Sequence, residues 1–144
     1  MPRTARLVIP NCPHHGIQRG NRRQRTFFND DNYQYYIDLL AENCQQYNVE
    51  IWAYCLMSNH IHLIAVPKDE IGFSKAFGEA HKEYARYINR QKGWTGHLWQ
   101  SRFSSFAMDE TYLLSCAKYV ELNPVKAKLC LRAEDWPYTK SVNL

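Results

Sequence analysis

Two short stretches hold residue types whose spacing could do chemistry. In Met57-Ser58-Asn59-His60-Ile61-His62-Leu63-Ile64-Ala65-Val66-Pro67, two histidines stand at the mouth of an apolar run. Read as a strand, residues two apart share a face, so His60 and His62 present their imidazoles side by side while Ile61 turns away. Neutral imidazole is a favoured metal ligand, and a pair fixed in this way is half of a metal site. Two ordinary polar residues at a strand end have the same spacing, so the pair alone decides nothing. In Lys118-Tyr119-Val120-Glu121-Leu122-Asn123-Pro124-Val125, Tyr119 and Asn123 lie four apart and project from one helix face. If that face meets the histidine strand, His60, His62 and Asn123 hold a divalent cation with open positions, one of which a phosphodiester oxygen can fill. Tyr119 is then a nucleophile able to form a phosphotyrosine. A free phenol ionises near pH ~10 and attacks poorly at neutral pH, and a nearby cation favours the phenolate. Two plainer readings stand beside this one: Tyr119 as a core tyrosine, and Asn123 as a helix N-cap with Pro124 at the first helical position.

The elements that must position these groups follow from periodicity. His14 to Gln18 is a first strand, weakened by Gly16. Asn29-Asp30-Asp31 supplies an N-cap and an acidic first turn, and Tyr33, Tyr36, Ile37, Leu40, Cys44 and Tyr47 then recur at helical spacing. Val49 to Leu56 is rich in strand formers, with Val49, Ile51, Ala53 and Cys55 alternating against Glu50, Trp52, Tyr54 and Leu56. Met57-Ser58-Asn59 connects it to the His60–Val66 strand as a hairpin. A helix from about Phe73 to Gln91 stops at Gly93. The basic residues Lys82, Arg86, Arg90 and Lys92, near or beyond its C-terminal half, complement the helix dipole as well as any phosphate. His97 to Met108 reads as a fourth strand. Asp109 caps a last helix, which Pro124 ends or kinks. The tail reads as short helix and coil, with Trp136-Pro137-Tyr138 packing back onto the body. The order strand–helix–strand–strand–helix–strand–helix predicts an α+β fold, a ferredoxin-like split βαβ antiparallel sheet with an additional C-terminal helix carrying the tyrosine. Fold alone leaves function open.

Composition bounds the rest. The 144 residues suit a single domain, 1–144, and the 45% hydrophobic and 22% charged content is that of a globular protein. No apolar run reaches the roughly 18 residues of a membrane helix, and the first residues lack the apolar core of a secretory signal. The five cysteines are odd in number, scattered and without a Cys-x-x-Cys pair, as expected of thiols in a reducing compartment; the expected location is cytoplasmic. Net charge is only +4, but residues 1–29 carry six arginines, no lysine and no acidic residue. The cluster Arg19-Gly20-Asn21-Arg22-Arg23-Gln24-Arg25 therefore suggests a phosphate-binding surface, since guanidinium suits phosphate and base edges. Ten tyrosines and four tryptophans offer stacking platforms, most of them expected in the core.

Met57-Ser58-Asn59-His60-Ile61-His62-Leu63 resembles the Met-Pro-Asn-His-hydrophobic-His-Leu motif of HUH single-tyrosine transposases. Tyr119-Val120-Glu121-Leu122-Asn123-Pro124-Val125-Lys126-Ala127 resembles their tyrosine motif, closest to the REP-associated branch and its insertion-sequence relatives. The likeness extends through Gln18–Gln24, Ala53–Met57 and Gly96–Phe103, and so covers nearly the whole chain in order. It implies a DNA transposase that cuts and rejoins single-stranded or hairpin DNA through a 5′-phosphotyrosine, leaving a 3′-hydroxyl. Mg²⁺ or Mn²⁺ would be the cofactor, with no nucleotide cofactor and no membrane partner. By position, His60 and His62 become metal ligands, Tyr119 the nucleophile and Asn123 the third ligand. Arg19, Asn21, Arg22, Arg23, Arg25, His97 and Arg102 become DNA contacts. His15 falls at a commonly histidine position of that family, with no role attached, and His81 and His97 read as surface or DNA-facing residues. Ser58 stands where the family has proline, which should loosen the turn, and His14 and Gly16 replace bulkier residues, which should make the first strand irregular. The resemblance allows either a homodimer with exchanged tyrosine helices or a monomer. The alternative function is a non-cleaving binder of hairpin single-stranded DNA or RNA. A zinc hydrolase built on His60 and His62 lacks further clustered ligands, and a generic RNA-binding module lacks the expected aromatic signature.

Overall fold

In the computed structural model, residues 7–126 and 137–141 are described, the side chains of 121–123, 125, 126, 140 and 141 excepted. The chain runs β1 (His14–Arg19), α1 (Asp30–Gln46), β2 (Val49–Leu56), β3 (His60–Pro67), α2 (Glu70–Lys92), β4 (Ser104–Ala107), α3 (Glu110–Lys126) and β5 (Thr139–Ser141). The sheet order is β4-β1-β3-β2-β5 with every pairing antiparallel, the predicted split βαβ arrangement plus one strand. Among the described residues, no helix is long and apolar enough to cross a membrane.

Helix starts obey their local chemistry. The Asn29 side chain accepts from the backbone N–H of Asn32 at 2.9 Å, and the Asn32 side chain accepts in return from Phe28 N–H at 2.9 Å. Helix α2 begins earlier than predicted because Asp69 caps it, accepting from Gly72 N–H at 2.6 Å. It ends at Gly93, whose φ of 68° is the left-handed cap that glycine adopts without cost.

Helices α1 and α2 pack on one face of the sheet over an aromatic-rich core that includes Phe27, Tyr33, Tyr36, Phe73, Phe77, Tyr84, Trp99 and Phe103. Strand β3 gives Ile61, Leu63 and Ala65 to this core. On the other face, Ile64 packs with Ala53, Cys55 and Met57 against Leu113, Cys116 and Val120 of α3. The simple alternation expected for β2 is broken: its register shifts between Ile51 and Ala53, a bulge at Trp52. Val49 and Ile51 consequently pack on the aromatic side while Ala53 and Cys55 face α3.

Three other expectations are corrected. The fourth strand is only Ser104–Ala107, preceded by a single bridge between Gly20 and Trp99, because residues 96–103 fold over α2 instead of along the sheet. Pro124 lies inside α3 and is buried, so the helix runs through it and Asn123 does not cap a new one. The tail contributes strand β5 beside β2; Tyr138 just before it stacks on Tyr33 at 3.8 Å between ring centroids and donates to Asp30. Trp136 lies outside the described residues.

The first strand is regular, and Gly16 is the reason Phe103 fits. A Cβ on Gly16 would lie 2.0 Å from Phe103 Cζ, and that ring stacks on Phe77 at 4.4 Å. Gly16→Ala is therefore expected to cost about 1–3 kcal/mol of folding free energy by overpacking. In urea denaturation, Gly16→Ala with Phe103→Leu should lose less than the sum of the two single changes. Additive losses would show that the ring does not depend on this glycine.

Candidate active site

Strand β3 is flanked on both sides, and its core-facing residues alternate with His60, His62 and Ile64. Because Ile61, Leu63 and Ala65 occupy the aromatic core, both histidines must emerge beneath α3. Register sets their neighbours: β1 places Ile17 opposite His62 and Arg19 opposite His60. The rings of His60 and His62 are 5.1 Å apart and perpendicular, at 90°.

Helix α3 starts at Asp109, whose side chain accepts from Tyr112 N–H at 2.8 Å. Its buried stripe is Leu113, Cys116 and Val120. Tyr119 sits one position off that stripe and is exposed, and its ring stands 5.3 Å from that of His62 at 88°. The structure thus brings His60, His62 and Tyr119 together on one face. Asn123 lies in α3 one turn beyond Tyr119, and its side chain is outside the described residues.

Two residues to which the sequence attached no role hold the histidines. The Asn59 amide donates to Arg23 C=O at 3.2 Å, which turns its oxygen toward His60, whose Nδ1–H donates to it at 2.7 Å. That leaves Nε2 as the lone-pair atom of His60. His15, buried on β1, has its Nε2 3.2 Å from Nδ1 of His62, with the rings stacked at 26°. The substituted turn is well tied: Ser58 C=O accepts from Thr26 N–H at 2.8 Å and Phe27 N–H at 3.2 Å.

Electrostatics keep the cluster neutral. Burial, then the neighbouring His60, His15 and Arg19, push His62 down to about 3. Burial first and Arg19 second lower His60, and burial lowers His15. Near neutral pH these imidazoles keep the lone pairs that a metal requires. Among the described residues, no three His, Cys, Asp or Glu side chains converge into a closed metal cage. Two neutral imidazoles on one face fit a divalent cation that keeps open positions, so His60 and His62 are the described residues able to hold one.

The arginine segment adjoins the site. Arg19 ends β1 on the histidine face, and Arg22 and Arg23 are exposed in a tight turn with φ of 54° and 60°. Asn21 is half-buried and spends its N–H on Leu98 C=O. Arg25 is turned back, its Nε–H donating to Phe27 C=O at 2.7 Å. Gln24 and Gln100 bind this turn to residues 97–100, so the two predicted DNA-contact segments are adjacent. They do not all converge on the histidines, however. His97 and Arg102 line a cavity of about 320 Å³ against α2, on the opposite sheet face from His62. His81, expected at the surface, is buried beside that cavity and bonded to Tyr36 Oη at 2.8 Å. Lys82 and Arg86 pair with Glu79 and Glu83 along α2.

Residues 8–123 match the family described as IS200-like transposases. The chain belongs to that family. A Haemophilus influenzae protein named as a REP-associated tyrosine transposase is 28% identical over an alignment of 109 residues that covers 68% of this chain and 62% of that relative. The matched stretch thus spans less than two thirds of the relative's own length. A REP-associated tyrosine transposase solved bound to a REP hairpin superposes with a TM-score of 0.78 at 23% identity, covering 96% of this chain and 82% of that one. A transposase structure from Deinococcus radiodurans gives a TM-score of 0.56 at 21% identity over 83% of this chain and 96% of that one. Both likenesses support the fold.

The buried histidines make stability depend on pH. In the unfolded chain they take up protons below about pH 6.5, whereas the folded protein resists until lower pH, so acid favours unfolding. The melting temperature should be highest above pH 6.5 and fall as pH drops toward 4, with His62→Gln giving a shallower fall. An unchanged slope in that variant would show that His62 is protonated in the folded protein as readily as in the unfolded one.

Proposed function

We propose that this transposase-family chain cuts and rejoins single-stranded DNA at Tyr119, with Mg²⁺ or Mn²⁺ held by His60 and His62, joined by Asn123. The observation that carries the reading is the Tyr119 ring standing 5.3 Å from His62 on the face shared with His60. Tyr119 Oη attacks the phosphorus of a phosphodiester; the bond to the 3′ oxygen breaks, and that oxygen leaves as a 3′-hydroxyl after taking a proton. The phenolic proton passes to solvent, to which this tyrosine is open. The product is a 5′-phosphotyrosine that conserves the bond energy, so a 3′-hydroxyl can later attack it and restore the phenol without a nucleotide cofactor. A divalent cation, when bound, neutralises charge developing on the phosphate.

The substrate reading is DNA carrying a hairpin. It is supported by the exposed Arg19, Arg22 and Arg23 beside the histidine turn, and by the fold shared with the hairpin-bound relative. Tyr119 meets His62 of its own chain, which supports a reaction completed within one chain.

A covalent-trapping assay tests this. Hairpin-bearing single strands from the protein's genomic flanks, mixed with protein and Mn²⁺ and then denatured, should yield a protein–DNA band. EDTA, Tyr119→Phe and His60→Ala should each abolish it. Mixing Tyr119→Phe with His60→Ala should not restore it; restoration would mean that one chain's tyrosine serves another's histidines. Tight, salt-sensitive binding with no band on any flanking strand would favour a non-cleaving DNA binder.

A further inference from the structure

We propose that His15 is the positioning residue of this site: its Nε2 accepts the Nδ1–H of His62, fixing the tautomer in which Nε2 of His62 keeps its lone pair. The inference rests on the proposed metal role of His62 and names what sets up that role.

The geometry leaves two choices. The two imidazole nitrogens are 3.2 Å apart, and both residues are about 5% exposed, His15 at 6% and His62 at 5%. Two neutral imidazoles can share one hydrogen bond only if one donates and the other accepts. If His15 donated, His62 would carry its own proton on Nε2 and could not ligate through it. If His62 donates, its Nε2 is left as a ligand, matching His60, whose Nδ1–H is committed to Asn59 and whose Nε2 is likewise left with its lone pair. Only the second choice gives two usable nitrogens on neighbouring rings 5.1 Å apart. A partner on the non-ligating nitrogen is the general device by which proteins orient metal-binding histidines. Here it comes from a strand that β1–β3 pairing brings beside the site: His15 lies across from Ile64, diagonal to His62. His15 never touches the phosphate in this scheme; it acts through His62.

Two readouts independent of DNA cleavage test the proposal on the full chain. Imidazole ¹⁵N spectra of the metal-free protein should show His62 protonated on Nδ1 and bare on Nε2. Mn²⁺ binding, followed by loss of the free-ion EPR signal, should weaken about 10–100-fold in His15→Phe, the usual effect of removing such a partner. His15→Gln, whose amide oxygen reaches a similar position, should recover most of the affinity. It also serves as the measurable variant if His15→Phe fails to fold. His62 protonated on Nε2 in the wild-type protein would overturn the proposal. So would Mn²⁺ affinity that falls in His62→Ala but stays at the wild-type value in His15→Phe, leaving the metal role of His62 intact. Wild-type protein that binds no Mn²⁺ would instead bring down the metal reading itself, and this proposal with it.

Discussion

The constraint on which the molecule depends is the period of two along β3. One set of alternate residues, Ile61, Leu63 and Ala65, is claimed by the aromatic core under α1 and α2. The other set must face α3, and it begins with His60 and His62 before turning apolar at Ile64. A slip of one residue would put both imidazoles into the core and Ile61, Leu63 and Ala65 under α3, so the core itself enforces the register. The chemistry is placed by packing energy and not by any interaction of the histidines with one another.

Around that strand the loops are joined by backbone hydrogen bonds. Gly20 N–H donates to Asn59 C=O at 2.9 Å, Asn21 N–H to Leu98 C=O at 2.8 Å, and Gln100 N–H to Arg19 C=O at 2.8 Å. The arginine turn, the Ser58–Asn59 turn and residues 97–100 thus form one connected unit. Two consecutive arginines in the left-handed region cost about 1–2 kcal/mol each relative to ordinary backbone. The same anchoring bonds offset that cost, and both arginines face solvent beside the histidines. The position that lacks the expected proline is held instead by the two N–H groups that converge on Ser58 C=O.

Burial does opposite things at the two ends of the site. It keeps His62 and His15 neutral, because a charged imidazole would lose its hydration there. Tyr119, one residue off the buried stripe of α3, stays accessible. A buried His62 imidazole next to a wet hydroxyl is a consequence of where the α3 stripe ends.

Much of this was legible in the chain. Capping residues Asn29, Asp109 and Gly93, the apolar periods and the His-x-His spacing are local signals, and they marked the elements from β1 to α3 in order, the fold class and the face shared by His60 and His62, though not the extent of β4 or the strand β5. The resemblance of the tyrosine and histidine motifs pointed to the family that the match over residues 8–123 then showed. What the tertiary structure decided depends on contacts between distant segments. The bulge at Trp52 answers to two cores at once, and Phe103 leaves the sheet for the space above Gly16. His81 is drawn inside by Tyr36, and His97 and Arg102 turn to the α2 side. His15 stands beside His62 only because β1 pairs with β3, 47 residues away in sequence, and no spacing within either strand reveals that pairing.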